Sequence, residues 1–94
     1  MPKHRPLTRE ELRLRRDEVA RKAACGELPL PGAIREMRRA LGMTQARFAT
    51  AFGLTRIQVI DLEAGRANPT LETLNRIGRP FRFRVGFVRD VPEE

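Results

Sequence analysis

Two short apolar-periodic segments meet at a single glycine in the stretch TQARFATAFGLTRIQVIDLEAG, residues 44–65. Each segment has room for little more than two helical turns. Helices that short are marginal alone, because the first turn costs more free energy than the next few return. Gly53 permits the positive φ that a sharp turn between the two segments needs. The rest of the chain must therefore hold this helix pair together, which is the strongest constraint on the fold.

Capping signals and apolar periodicity predict three more helices. The longest covers 8–25, opens on the capping sequence TREE and stops at Gly26. Another covers roughly 32–41, and the last runs from a cap at Thr70 or Asn68 to about residue 77. In helix 8–25, a thin apolar stripe consists of Leu12, Val19, Ala20, Ala23 and Ala24. In the other four helices, helical spacing predicts that the inward side chains are Ile34, Met37, Leu41, Phe48, Ala49, Phe52, Val59, Leu62, Leu71, Leu74 and Ile77.

The period of the sequence changes after Pro80. In FRFRVGFV, residues 81–88, apolar side chains alternate with other residues, which is the period of a strand. A single strand has no ladder partner within its own chain, so we predict antiparallel pairing with the same strand of a second copy about a two-fold axis. The side chains of this predicted dimer strand are Phe81, Phe83, Val85 and Phe87.

These patterns divide the chain into five parts. In order, they are a flexible N-terminal arm (1–7), an extra helix (8–26), a linker (27–31), a compact helical domain (32–78), and a dimerisation strand with a tail (79–94).

The charge of the chain suggests a polyanionic partner. Nineteen basic and twelve acidic side chains give a net charge of +7 at pH 7, and small basic domains favour nucleic acid. A genome whose codon usage favours arginine would produce a similar balance, because Lys3 and Lys22 are the only lysines. The charge therefore supports nucleic-acid binding without deciding it.

The composition also argues against several functions. One cysteine, Cys25, and one histidine, His4, cannot form a zinc site and offer no credible nucleophile–base pair. We therefore predict no enzymatic activity, no metal and no cofactor. The sequence contains no apolar run long enough to span a membrane and no signal-peptide core, so we predict a cytoplasmic protein without a membrane partner.

The run from residue 34 to residue 77 resembles the repressor/Cro-like (XRE) helix-turn-helix family. The matching features are Thr44-Gln45, Gly53, Thr55-Arg56, Leu62-Glu63, Gly65 and the NPTLETL run at 68–74. The resemblance implies a mainly α fold, a lambda-repressor-like helix-turn-helix domain of four to five helices, with one C-terminal β-strand pairing across a dimer. By layout alone, that strand resembles the HigA/HipB-type antitoxins of the family.

The resemblance implies DNA base contacts near the start of the second motif helix, from Thr55, Arg56, Ile57, Gln58 and Asp61. Phosphate contacts would come from Thr44, Gln45, Arg47 and Arg66, and a structural ion pair from Arg38 and Glu63.

Some of these contacts have alternatives. Arg56 is the leading candidate, because a guanidinium can bind O6 and N7 of guanine together, although it could instead contact phosphate without selectivity. Ile57 could pack on a thymine methyl or against a neighbouring helix. Asp61 could accept from cytosine N4 but would repel phosphate.

The resemblance implies a dimeric, sequence-specific transcriptional repressor of a palindromic double-stranded DNA operator, which would regulate its own operon as the antitoxin of a type II toxin–antitoxin pair. The alternatives are a toxin-neutralising module with secondary DNA binding, and a phage-type repressor without a toxin. Helix 8–25 is then either the surface for a toxin protein or a brace across the domain.

Overall fold

A computed structural model of the chain describes residues 6–90. Within that range, five α-helices follow one another, and a single 3-10 turn follows the last. The helices are α1 (Arg9–Ala24), α2 (Gly32–Ala40), α3 (Gln45–Phe52), α4 (Arg56–Ala64) and α5 (Leu71–Gly78). The mainly α fold class is confirmed. Residues 1–5 of the predicted arm and residues 91–94 of the predicted tail lie outside the described residues.

Threonine hydroxyls cap the start of four of the described helices. Thr8, Thr44, Thr55 and Thr70 each accept a hydrogen bond of 3.1 Å from the backbone amide three residues later. In α1 and α4 that later residue accepts in return from the amide of the cap, which completes a capping box. Each cap stabilises its helix by about 1 kcal/mol. The last helix therefore begins after Thr70, and Asn68 is not its cap.

The core lies between α2, α3, α4 and α5 and includes one residue of α1. The rings of Phe48 and Phe52 pack at its centre with centroids 4.5 Å apart. The buried apolar residues are Val19, Ala33, Ile34, Met37, Ala40, Phe48, Ala49, Phe52, Val59, Leu62 and Ile77.

The predicted inward position of Leu71 is wrong, because Leu71 is 61 % exposed. In the apolar stripe of α1, Ala20 and Ala24 are exposed as well. The buried face of α5 is centred on Ile77. Leu71 precedes Ile77 by six residues, so its side chain points about 120° away from that face around the helix axis. Its place in the first turn also puts Leu71 at the edge of the domain.

The first helix packs against the second. Val19 is buried in this contact, and the Leu12 side chain lies against Gly42 after α2. Lys22 Nζ and Glu36 Oε1 form an ion pair of 2.6 Å between the two helices. The predicted extra helix therefore packs along one side of the domain.

The predicted strand does not begin at Phe81. Arg79–Phe81 is a 3-10 turn, and Arg82 adopts a left-handed conformation with φ 61°. The Phe83 amide then donates to the Gly78 carbonyl at 3.0 Å, which directs the chain back along α5. A Cβ at Gly78 would lie only 2.8 Å from the Phe83 oxygen, so this approach requires glycine.

Two of the predicted dimer-strand side chains pack within their own chain. The rings of Phe81 and Phe83 stack with centroids 5.3 Å apart, and both are half-buried against the core. Residues 83–90 have no regular secondary structure in the described chain. Because a strand needs a ladder partner, pairing of 83–88 between two copies stays a prediction.

Candidate nucleic-acid interface

A tight turn between α3 and α4 fixes the position of the second helix. Gly53 has φ 69° and ψ 33°, a left-handed conformation in which a Cβ would be strained. The Leu54 amide donates to the Ala49 carbonyl at 2.8 Å, which closes the end of α3. Thr55 then starts α4 with its capping box. The turn and the cap together present α4 at a defined angle to α3.

An arginine of α5 supports this turn. Arg76 Nη1 donates to the Phe52 carbonyl at 3.2 Å, and its Nη2 pairs with Glu72 at 3.0 Å. The last carbonyls of a helix have no partner within the helix, so Arg76 satisfies one of them at the end of α3. Sequence reasoning did not identify Arg76. The spacing from Glu72 was visible, but the second partner lies 24 residues away.

A charge pair links α2 to α4. Arg38 Nε lies 2.6 Å from Glu63 Oε2, and Arg38 Nη2 donates to Glu63 Oε1 at 3.1 Å. The remaining nitrogen of the guanidinium, Nη1, donates to the Met43 carbonyl before α3 at 3.0 Å. The side chains of Arg38 and Glu63 are only 12 % and 6 % exposed. The structure thus places the predicted ion pair inside the domain, behind the helix pair.

The charge of Glu63 is stabilised by its neighbours. Burial alone would raise the pKa of its carboxyl, but hydrogen bonds from Arg38 and Gln45, with the charges of Arg38 and Arg35, outweigh burial. The net pKa of Glu63 therefore lies below its ordinary value of 4.5. Glu63 remains ionised at neutral pH and keeps its link to Arg38.

The predicted phosphate contacts of the first motif helix gather at the N-terminus of α3. The Thr44 hydroxyl is occupied as the cap, accepting from the Arg47 amide. Gln45 Nε2 donates to Glu63 Oε1 at 3.3 Å, so this side chain is partly occupied by the internal pair. The Arg47 side chain is exposed, and no acidic side chain among residues 6–90 pairs with it. Arg47 is therefore the most available cation at this helix end.

The outer face of α4 carries most of the predicted base contacts. Val59 and Leu62 are buried on its inner face. Arg56 is exposed and forms no ion pair with the described acidic residues. Ile57 is 70 % exposed. An exposed cation and an exposed apolar side chain therefore stand side by side at the start of α4.

Thr55 and Gln58 also have structural roles. Gln58 Oε1 accepts from the Thr55 amide at 2.8 Å, and the Thr55 hydroxyl accepts from the Gln58 amide at 3.1 Å. With the Gln58 oxygen occupied, its NH2 group is the part left to donate to another molecule.

Two residues predicted to contact DNA separately are bound to each other. Arg66 Nη2 and Nε lie 3.1 and 3.3 Å from Asp61 Oδ1. The Arg66 backbone amide also donates to the Asp61 carbonyl at 2.9 Å. The negative charge of Asp61 is therefore compensated locally, which removes much of the repulsion expected of a carboxylate on this face.

Residues 6–90 contain neither a metal-binding cluster nor a membrane-spanning helix. Among residues 6–90, no group of three or more His, Cys, Asp or Glu side chains could hold a metal ion. None of the described helices is both long and apolar enough to cross a membrane.

Comparisons with known proteins agree with this geometry. A family model described as "Helix-turn-helix" matches residues 34–85, more than half of the chain. An uncharacterized HTH-type transcriptional regulator of Methanothermobacter thermautotrophicus is 48 % identical over 46 residues, covering 49 % of this chain and 67 % of the relative. Another from Archaeoglobus fulgidus is 40 % identical over 52 residues, covering 55 % and 74 %. No solved structure matches the chain.

Proposed function

Because this chain belongs to the helix-turn-helix family of DNA-binding transcriptional regulators, we propose that it is a sequence-specific repressor acting in the cytoplasm. The observation that carries the proposal is the exposed face of α4, where Arg56 and Ile57 project from a helix fixed by buried residues on its other side. The major groove is about 12 Å wide and admits one such helix. Residues 32–78 form the DNA-binding domain in this proposal.

Each exposed residue has a specific role in the proposed complex. Arg56 donates two hydrogen bonds to guanine, and Ile57 packs on a thymine methyl. Thr55 and the NH2 group of Gln58 reach neighbouring base edges from the first turn of α4. Phosphate contacts fix the position of the domain on the duplex, and they come from the N-terminus of α3, through Thr44, Gln45 and Arg47.

The protein acts as a homodimer in this proposal. Support comes from the C-terminal segment, where Phe87 is 108 % exposed and Val85 and Val88 are also exposed. These side chains line an apolar groove of about 510 Å³ that also includes Leu30. Exposed apolar patches mark interaction surfaces. A two-fold dimer would place two α4 helices in successive major grooves about 34–36 Å apart, on a palindromic operator.

The test is binding to the DNA immediately upstream of the gene, compared with unrelated DNA, at several salt concentrations. The repressor function predicts operator binding that exceeds non-specific binding by about 10³ or more and survives moderate salt. If both DNAs bind alike and salt releases both, binding is only electrostatic, and the proposal is wrong.

An antitoxin function is a second candidate with a narrower basis. Its supporting observation is Leu14, an exposed apolar side chain on α1 away from the core. If a toxin protein docks there, Leu14→Glu should abolish copurification with the product of the adjacent gene while leaving DNA binding and stability unchanged. Copurification that survives Leu14→Glu would remove this surface from the proposal.

A further inference from the structure

Asp61 lies on the outer side of α4, where 38 % of its side chain is exposed. It follows Ile57 by four residues, so the two side chains are neighbours on one side of the helix. Val59 and Leu62, on the opposite side, are buried. Arg66 begins beyond the end of α4, after the left-handed Gly65. Its binding to Asp61 therefore brings the guanidinium back over the outer face of α4.

The way in which Arg66 is bound leaves one edge of its guanidinium available. Nε and Nη2 both contact the same oxygen, Asp61 Oδ1. A guanidinium has five N–H donors in a planar fork, so Nη1 and the second hydrogen of Nη2 remain. The free hydrogens of Nη1 and Nη2 lie side by side at the end of the guanidinium, where they can donate to two neighbouring acceptors at once.

We infer that Asp61 is a positioning residue, which holds Arg66 on the groove-facing side of α4 so that the free edge of Arg66 reads a guanine. This inference rests on the proposed function. It replaces two separate expectations, a direct base contact by Asp61 and an unselective phosphate contact by Arg66. O6 and N7 of guanine are the two adjacent acceptors that such an edge fits.

The pair favours selectivity over general affinity. Its net charge is zero, so together the two residues contribute little to the sequence-independent attraction that phosphates exert on free cations. The backbone hydrogen bond of 2.9 Å from Arg66 to Asp61 also restrains the start of the arginine side chain. A restrained guanidinium loses less conformational freedom when it binds a base edge.

The test is a double-mutant cycle with Asp61→Ala and Arg66→Ala. For each variant, the affinity for the operator is compared with the affinity for operators in which a single G·C pair is replaced, and the ratio is its discrimination. Each single variant should lose roughly tenfold discrimination at the same G·C pair, within the range of one bidentate contact. The double variant should lose no more than either single variant, because the two residues act as one unit. Non-specific binding by Asp61→Ala should be unchanged or tighter.

Asp17→Ala is the matched control. Asp17 is an exposed aspartate paired with an arginine, Arg13 Nη1, at 3.5 Å, but it lies on α1. This variant should not change discrimination at any base pair. Thermal unfolding of all the variants distinguishes a loss of base recognition from a loss of folded protein.

Two results would overturn the inference while leaving the repressor function intact. Loss of discrimination from Asp61→Ala in the Arg66→Ala background would show that Asp61 reads a base directly. If Asp61→Ala bound operator and unrelated DNA more tightly to the same degree, Asp61 would be shown only to repel phosphate. If the unmodified protein does not distinguish operator from unrelated DNA, the proposed function itself fails, and the inference fails with it.

Discussion

Arg38 of α2 and Glu63 of α4 are joined by two hydrogen bonds, of 2.6 and 3.1 Å, inside the domain. The same carboxylate accepts from Gln45 of α3. One partly buried charge pair therefore links the three helices that determine how α4 is presented. A buried ion pair adds little net stability by itself, but removing one partner leaves an uncompensated charge.

Glu63→Gln should destabilise the protein by about 2–3 kcal/mol, because Arg38 would remain partly buried without a counter-ion. Urea unfolding monitored by circular dichroism would measure this loss. Glu18→Gln is the control, since Glu18 makes the same kind of pair with Arg21 on the exposed surface of α1. The control should leave the unfolding midpoint almost unchanged. Similar midpoints for the two variants would contradict the role of the pair.

Protonation of Glu63 should lower the free energy of unfolding in acid. Its pKa in the folded protein lies below the ordinary value of 4.5, so the unfolded chain takes up a proton first as the pH falls. The stabilisation from Glu63 is complete above pH 4.5 and is lost as the pH drops through the lower, folded pKa. Urea titrations at a series of acidic pH values should show a shallower decline for Glu63→Gln. Parallel declines would exclude Glu63 as the cause.

Gly53→Ala should destabilise the protein by about 1–2 kcal/mol, because alanine is strained in the left-handed conformation. The new Cβ would lie 3.6 Å from Arg76 Nη1, an ordinary contact, so the backbone alone accounts for the loss. Gly86→Ala is the control, since Gly86 has neither a positive φ nor an atom within 4 Å of a built Cβ. Thermal unfolding would compare the two. An equal loss from both would argue against strain at the turn.

Phe87→Ser should convert a dimer to a monomer without weakening the fold of each chain. Phe87 is fully exposed in the single chain, so its removal should have little effect on the fold of each chain. Sedimentation equilibrium would measure the mass, with Leu14→Ser removing an exposed apolar residue from α1 as the control. A dimer that survives Phe87→Ser would place the interface elsewhere.

Arg56→Ala and Arg47→Ala should weaken DNA binding in different ways. Loss of a base contact by Arg56 should weaken operator binding by about 1–3 kcal/mol and spare unrelated DNA. Loss of a phosphate contact by Arg47 should weaken binding to both DNAs. It should also reduce the slope of log affinity against log salt concentration by about one. Salt titrations on both DNAs would distinguish the two roles. Identical behaviour of the two variants would contradict the assignment of Arg56 to a base.

Local signals predicted the helices well. The starts at Thr8, Thr44 and Thr55 and the turn at Gly53 depend on a few adjacent residues, and the structure places them as expected. The start of the strand was wrong because it depends on a contact between Gly78 and the returning chain. Alternation in sequence cannot report where that chain turns.

Sequence reasoning identified site residues one at a time but not their partners. Asp61 and Arg66 were each predicted to contact DNA, whereas their mutual pairing depends on the path of the chain after Gly65. Arg76 was missed because its role is set by a carbonyl of another helix, that of Phe52. Tertiary partners of this kind have no periodicity or motif in the sequence.

The nine residues of α4 place stability and the proposed DNA recognition on two different faces of one helix. Val59, Leu62 and Glu63 hold the helix in place, while Arg56 and Ile57 face outward and are absent from the core. If these outward residues contact bases as proposed, substitutions there should change DNA preference with little effect on folding. A duplicated copy of the gene would then need only a few mutations on this face to acquire a different operator.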